Sequence, residues 1–340
     1  MHDRRADGWT RRAFLGGLTG AGAAGFLGLH PRWVIGEPPP ETTRLRIAQL
    51  PSACRSPEWI ADDLLRAEGF TDVQYVPTAG TLGVERALAS GEADLSGHFA
   101  APVILRAEAG DPIVMLAGEH VGCFELLAHE RVRTIRDLEG KTVAVPELDP
   151  SPYAFLASMV GYVGLDPRQD IRWVTHSASE SMRLLADGTV DAYLGLPTAP
   201  QEFRARQIGR VVVNSAVDRP WSQYFCCLLV GNRAFVRTHP VATKRALRAI
   251  LKAADVCALE PERVARVIVG KGLARNYDFA LQAIQSLPYG QWREFSPEDT
   301  VRFYALRLHE AGLIKSNPQR ILAQATDWRF LTELKRELKG

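Results

Sequence analysis

The sequence has little charge imbalance, few cysteines and no hydrophobic run long enough to cross a bilayer. Its formal net charge is +2 over 340 residues, which gives no reason to expect a polyanionic partner such as nucleic acid. Its five cysteines are an odd number without Cys-x-x-Cys spacing, whereas a zinc site is usually signalled by ligands paired at short spacing. We therefore predict no metal site and no cofactor, and we interpret the thiols as buried, apolar-like side chains.

The N-terminus carries an export pattern. Residues 10–16 read TRRAFLG, a twin-arginine motif, and an uncharged run rich in Gly, Ala and Leu follows as far as Leu29. That run is about 14 residues, shorter than the roughly 20 that a membrane-spanning helix needs. We predict a cleaved twin-arginine signal peptide and linker over residues 1–41, and hence a periplasmic protein. A soluble amphipathic N-terminus is the alternative.

One phrase occurs twice, about a hundred residues apart. Residues 88–102 read LASGEADLSGHFAAP, and residues 185–200 read LADGTVDAYLGLPTAP. Each copy predicts a helix that stops at a glycine, then a strand, then an irregular loop. Ligands of open α/β sheets bind beyond the carboxyl ends of strands, so the loops 96–102 and 195–200 are expected to face each other across a cleft.

The rest of the pattern places these copies in two α/β lobes. Strand and helix signals alternate as β-α-β-α-β before residue 122 and again after it, and helical periodicity then dominates from residue 239. We predict a first lobe of residues 42–122 with 221–340 and a second lobe of 123–220. Two chain crossings, near 118–126 and 217–225, would join them as a hinge.

Several stretches resemble a known family. They are RTIRDLEGKTVAVP (133–146), YVGLDP (162–167), the two repeated phrases, and NRAFVRTHPVATKRALRAIL (232–251). They are similar to periplasmic solute-binding proteins of the nitrate/sulfonate/taurine type, the SsuA/THI5-like branch. The resemblance implies a type II periplasmic binding fold with a helical C-terminal extension. It further implies a protein, expected to be monomeric, that delivers a small solute to an ABC permease and, through it, to an ATPase.

The candidate ligand contacts are polar or aromatic residues at strand exits and at the crossings. They are Ser52, Cys54, Thr81, His98, Phe99, His120, Ser151, Tyr153, His176, Thr198, Trp221 and Tyr224. Each has a structural alternative: Thr81 and Ser151 as helix caps, the histidines as packed or surface residues, and the aromatic residues as core or hinge packing.

The candidate loops contain few cationic side chains. Arg55 and Arg219 are the exceptions, so we hypothesise a neutral, aromatic or weakly charged ligand rather than a strong anion. No nucleophile elbow, phosphate-binding glycine loop or metal-spaced cluster supports catalysis, and we predict that the protein is not an enzyme. Two alternatives stay open: an enzyme related to the thiamine-pyrimidine synthases of the same fold, and a ligand-sensing input protein.

Overall fold

Ten strands organise the part of the chain that the structure describes. The structure is a computed structural model that describes residues 37–50, 52–146 and 151–338, so residues 1–36 of the predicted signal peptide lie outside it. The strands are β1 (Arg44–Gln49), β2 (Asp72–Pro77), β3 (Leu95–Phe99), β4 (Ile113–Val121), β5 (Glu125–Ala128), β6 (Thr142–Val145), β7 (Arg172–Thr175), β8 (Ala192–Gly195), β9 (Arg210–Asn214) and β10 (Phe225–Asn232).

Helices connect and cover these strands. They are α1 (Ser56–Ile60), α2 (Asp62–Ala67), α3 (Gly80–Ser90), α4 (Ala100–Glu108), α5 (Ser151–Tyr162), α6 (Ala178–Ala186), α7 (Ala199–Ala205), α8 (Arg233–Thr238), α9 (Pro240–Leu259), α10 (Pro261–Gly270), α11 (Tyr277–Ser286), α12 (Pro297–Glu310), α13 (Pro318–Ala325) and α14 (Arg329–Glu337). Four short 3₁₀ turns are Ala53–Arg55, Ile135–Leu138, Trp221–Gln223 and Tyr289–Arg293. Among the described residues, no helix is long and apolar enough to cross a membrane.

The strands form two sheets of the same design. Their orders are β2-β1-β3-β10-β4 and β7-β6-β8-β5-β9. In each sheet the second strand, β1 or β6, pairs in parallel with both neighbours, and the fourth strand runs antiparallel to the third. That fourth strand, β10 or β5, follows a chain crossing from the other sheet, so the two lobes are joined by two connections. The predicted pair of hinged α/β lobes is confirmed.

The repeated phrase has the same backbone role in each lobe. Its glycines, Gly91 and Gly188, follow α3 and α6 with φ of 77° and 75°, the left-handed conformation that ends helices at little cost to glycine. Its strands, β3 and β8, are the third of five in their sheets, and each lies between a parallel neighbour and the antiparallel strand. The repeat therefore marks equivalent positions of two lobes, as its sequence predicts.

The aspartate of each phrase connects its strand to the neighbouring parallel strand, β1 or β6, by hydrogen bonds. The Asp94 carboxylate accepts hydrogen bonds from the Arg46 backbone N–H at 2.7 Å and from the Arg46 side chain. The Asp191 carboxylate likewise accepts one from the Thr142 N–H at 2.9 Å and one from Arg131 Nε at 2.7 Å. Each aspartate also donates its own N–H to the carbonyl of Arg46 or Thr142, at 2.8 Å in both cases. The aspartate thus makes equivalent hydrogen bonds to the neighbouring strand in both copies of the repeat.

Two local predictions at the first copy are wrong. Residues 96–102 do not form an irregular loop, because β3 continues to Phe99 and α4 begins at Ala100, so the strand passes straight into a helix. Thr81 is not a helix cap, because α3 already begins at Gly80 with Ala79 in the capping position, and the Thr81 side chain is buried. The positive φ of Gly80, 66°, turns the chain into the helix two residues earlier than a threonine cap would.

Helices from the C-terminal extension touch both lobes. α12 packs against α4 of the first lobe and against α5 of the second, and α11 contacts α7. Every residue of β4 and β10 is buried, since these neighbouring strands are covered on both faces. Polar residues within such strands are exceptional, and β4 ends in Glu119 and His120. That end of the first sheet holds the candidate site.

Candidate functional site

Three buried charged side chains meet beside the exit of β1. Arg55, in the first 3₁₀ turn, forms ion pairs with Glu58 of α1 and with Glu119 of β4, the latter at 2.9 Å between Nη1 and Oε2. Glu58 Oε1 also accepts a hydrogen bond from the backbone N–H of Gly97 at 2.8 Å. A Cβ atom at Gly97 would overlap the guanidinium group, so this arrangement requires glycine in β3. Internal carboxylates already balance the Arg55 charge.

Three thiols and an imidazole lie directly beside these charges. The ligand atoms of Cys54, His120, Cys123 and Cys227 all fall within 4.8 Å of one another, and all four residues are buried. The sulfur atoms of Cys123 and Cys227 are 3.4 Å apart. We call these four residues the thiol–imidazole cluster. Cysteine sulfur and histidine nitrogen are the donors that thiophilic metal ions prefer, so the cluster could hold such an ion.

Neighbouring groups fix the orientation of the cluster. The Ser52 hydroxyl lies 3.2 Å from the Cys54 sulfur. His120 Nε2 is 3.0 Å from the Cys54 carbonyl oxygen, and Nδ1 is 3.1 Å from the carbonyl oxygens of residues 121 and 122. The Tyr289 ring packs edge-on against His120 at 4.9 Å, and its hydroxyl donates to the carbonyl oxygen of residue 53 at 3.0 Å. The C-terminal extension therefore covers the cluster.

Burial and neighbouring charged groups shift the pKa values of these groups in different directions. Burial raises the pKa of the Glu119 carboxyl and outweighs the opposing influence of Arg55. Burial disfavours the charged form of His120, but the Cys227 thiol and Glu119 outweigh it and raise the pKa of the imidazole. Burial also disfavours the Cys227 thiolate, yet hydrogen bonds from the thiols around it hold the pKa of Cys227 well below its usual value. A thiol with a lowered pKa thus lies beside an imidazole with a raised pKa.

His98 and Thr81 meet on the other side of β3. His98 Nε2 lies 3.3 Å from the Thr81 carbonyl oxygen and 3.6 Å from the Glu85 carboxylate. Burial lowers the pKa of His98 to about 4, despite hydrogen bonds to the carbonyl oxygens of Thr81 and Phe99. His98 is therefore a neutral, enclosed imidazole at neutral pH.

A row of aromatic rings leads from the first lobe to the second. The Phe99 and Phe124 ring centroids are 4.9 Å apart, and Phe124 stacks on Phe155 of α5 at 4.4 Å. Trp221 follows at 6.1 Å from Phe155. Phe99, Phe124, Phe155 and Trp221 are all buried, so these rings form an apolar wall between the two sheets.

The predicted contacts of the second lobe and the second crossing are spread more widely. Tyr153 packs edge-on against Trp173 at 4.9 Å and, like His176 and Thr198, is half-buried. Tyr224 stacks on Phe303 of α12 at 4.0 Å. Ser151 begins α5, and its side chain lies outside the described residues.

Trp221 is enclosed by aromatic side chains. Its ring lies 5.5 Å from Tyr162 and 5.6 Å from Phe303, in addition to its contact with Phe155. It also borders a hollow of about 630 Å³ beside Arg219, the second of the two arginines singled out in the sequence. These contacts agree with the packing alternative for Trp221.

The structure thus brings together Ser52, Cys54 and His120, and separately Thr81, His98 and Phe99. Sequence reasoning missed Glu58, Cys123, Cys227 and Tyr289 as members of the site. Spacing could not reveal them, because Cys123 and Cys227 are distant in sequence and meet only where β4 and β10 pair. The one available signal was the presence of Glu119 and His120 at the end of an otherwise apolar strand.

Comparisons with known proteins agree with this architecture. A family model described as NMT1/THI5 like matches residues 66–264. The taurine-binding periplasmic protein of Escherichia coli (strain K12) is 24% identical over 217 residues, 61% of this chain and 66% of that protein, slightly less than two thirds of its length.

Solved structures show the same fold at low sequence identity. The periplasmic nitrate-binding protein NrtA from Synechocystis PCC 6803 has a TM-score of 0.73 at 13% identity, covering 89% of this chain and 90% of that chain. The alkanesulfonate-binding protein SsuA from Xanthomonas axonopodis pv. citri, bound to MOPS, has a TM-score of 0.67 at 16% identity, covering 85% and 99%.

The family model extends over more than half of the chain and includes both repeated phrases. The overall fold, with its two sheets, also matches the structural neighbours. The family resemblance seen in the sequence is confirmed: the chain belongs to the NMT1/THI5-like family.

Proposed function

We propose that this protein is the extracytoplasmic solute-binding component of an ABC importer. It would capture a small organic or oxyanion solute between its lobes and deliver it to a permease that an ATPase drives. The observation that carries the proposal is the pair of equivalent sheets joined by two crossings, because such lobes can close about a ligand that contacts both. The likeness to a taurine-binding periplasmic protein supports it.

We further propose the lobe boundaries stated above, 42–122 with 221–340 and 123–220, and a monomeric state. Polar and aromatic groups at the strand ends would line the ligand site. The Arg55 charge is balanced by Glu58 and Glu119, which supports a neutral or weakly charged solute rather than a strong anion. Binding of nitrate or an alkanesulfonate at micromolar affinity would contradict that choice of solute without contradicting the transport role.

Ligand-dependent stabilisation tests the binding role. The purified mature protein would be screened by thermal unfolding against taurine, alkanesulfonates, nitrate, pyrimidines, aromatic acids and amides, with calorimetry for each hit. A ligand at a hundred times its Kd adds about 2.7 kcal/mol to the free energy of unfolding. We expect a saturable rise in Tm with the ligand recovered unchanged. Recovery of a chemically altered ligand would instead favour the enzymatic alternative.

Export tests the proposed location. Replacing Arg11 and Arg12 together with lysine should keep the protein in the cytoplasm, because the twin-arginine route requires that motif. Fractionation followed by immunoblotting measures the distribution, and a variant with Arg4 and Arg5 replaced by lysine is the matched control. Undiminished periplasmic yield of the Arg11/Arg12 variant would contradict this route.

A further inference from the structure

We propose that the thiol–imidazole cluster is a resident metal site for a thiophilic d¹⁰ cation, Zn²⁺ or Cu⁺, bound by Cys54, His120, Cys123 and Cys227. The proposal does not depend on which solute the lobes bind. It rests on four donor atoms that converge in the protein interior and on the groups around them.

The spacing of the donors suits a tetrahedral ion. Zinc–sulfur bonds of about 2.3 Å at tetrahedral angles place sulfur atoms roughly 3.8 Å apart. The Cys123 and Cys227 sulfur atoms are 3.4 Å apart, and the whole set lies within 4.8 Å. Adjustments of about an ångström, within side-chain rotation, would therefore complete four-coordination.

The groups around the cluster provide the hydrogen-bond partners that hold metal-binding side chains in place. Both ring nitrogens of His120 lie within hydrogen-bonding distance of backbone carbonyl oxygens. When one nitrogen binds a metal, the N–H of the other can donate to its carbonyl and hold the ring in place. The Ser52 hydroxyl beside the Cys54 sulfur provides a hydrogen bond to a ligating thiolate in the same way.

Charge and enclosure favour an ion that stays bound. Three thiolates and a neutral imidazole around Zn²⁺ carry a net charge of −1, and the buried Arg55 guanidinium lies in the same region. Four protein ligands leave no open position, the arrangement of structural rather than catalytic metal sites. The ligands come from the β1 exit turn, β4, the first crossing and β10, so the ion would tie the first crossing to the sheet.

The test uses the full mature protein, purified under reducing, anaerobic conditions and titrated separately with Zn²⁺, Cu⁺ and Co²⁺. We expect one ion per chain by elemental analysis. The Co²⁺ form should show the visible bands of a tetrahedral ion and near-ultraviolet absorption from three cobalt–thiolate bonds. Competition between Zn²⁺ and Cu⁺ then identifies the preferred ion.

Single variants assign the ligands. C54S, C123S and C227S should each weaken Zn²⁺ binding by about 100-fold or more, since they remove direct ligands rather than their supporting partners. C257S is the matched control, because Cys257 is a buried thiol of α9 outside the cluster and should retain wild-type affinity. Circular dichroism checks folding, and the wild-type Co²⁺ spectrum remains decisive if a serine variant does not fold.

Three results would overturn the proposal. One is the failure of the reduced wild-type protein to bind a stoichiometric ion. Another is a Cys123–Cys227 disulfide in the exported protein, detected by mass spectrometry, because oxidation would remove two ligands. The third is unchanged metal binding when all three cysteines are replaced by serine. None of these results bears on solute binding, which the thermal-shift screen measures separately.

Discussion

The two copies of the repeated phrase share a backbone but differ in chemistry. Asp94 and Asp191 make the same hydrogen bonds to the neighbouring parallel strands, β1 and β6. Beyond that point, a Cβ atom at Gly97 would overlap buried charged groups, whereas the atoms nearest to a Cβ at Gly195 would be those of Leu127 and Pro200. The duplicated backbone therefore determines where each strand lies. Side chains from other parts of the first lobe determine what can bind beside its strand.

The buried ion pairs of the two lobes should differ most in their contribution to stability. Arg55→Met should lower the free energy of unfolding by about 3–5 kcal/mol, because it leaves two buried carboxylates without their cation. Arg204→Met in the second lobe should cost about 1 kcal/mol, because the Arg204 side chain that pairs with Glu125 is 44% exposed. Urea unfolding measures both, and equal losses would contradict the contrast.

Alanine substitution of Gly97 in β3 and of Gly195 in β8 tests the same difference at the strands. Gly97→Ala should cost about 3 kcal/mol, since the methyl group displaces the Arg55 guanidinium from its carboxylates. Gly195→Ala should cost about 1 kcal/mol, because its Cβ would meet Leu127 Cδ1 at 3.1 Å, a side-chain end that can move. A larger loss in Gly195→Ala than in Gly97→Ala, measured by urea unfolding, would reverse the assignment of the more constrained lobe.

Acid should destabilise the first lobe through His98. Its folded-state pKa is about 4 against an ordinary 6.5, so the unfolded chain binds the proton more readily between these values. The stability linked to His98 is therefore complete above pH 6.5 and falls by about 3 kcal/mol as the pH drops towards 4. Urea unfolding across this range should show a weaker pH dependence in H98Q than in the wild type. Identical profiles would show that His98 does not contribute.

The aspartates of the two copies should show the smallest difference between the lobes. Asp94→Asn and Asp191→Asn should each cost about 2 kcal/mol, because each weakens charge-assisted hydrogen bonds to a strand N–H and to an arginine. Urea unfolding of the two variants should agree within about 1 kcal/mol. A much larger loss at one position would show that the two lobes do not use the aspartate in the same way.

Periodicity and turn residues were sufficient to predict most strands and both lobes, because alternation of apolar residues and helix-ending glycines are local signals. They failed where a tertiary contact decided the outcome. The segment 96–102 reads as a loop, yet β3 stays extended to Phe99 because it pairs with β10. Of the candidate contacts, those of the first lobe cluster at the strand ends, while Trp221 packs against α5 and α12 and Tyr224 stacks on α12.

The sequence alone therefore determined the duplicated α/β frame and the family, since both depend on patterns that recur within short windows. Only the tertiary structure decided that Cys54, His120, Cys123 and Cys227 converge and that Arg55 is already paired. These contacts join segments far apart in the chain through the alignment of β4 with β10. Pairing between distant strands depends on the folded sheet, and no local spacing encodes it.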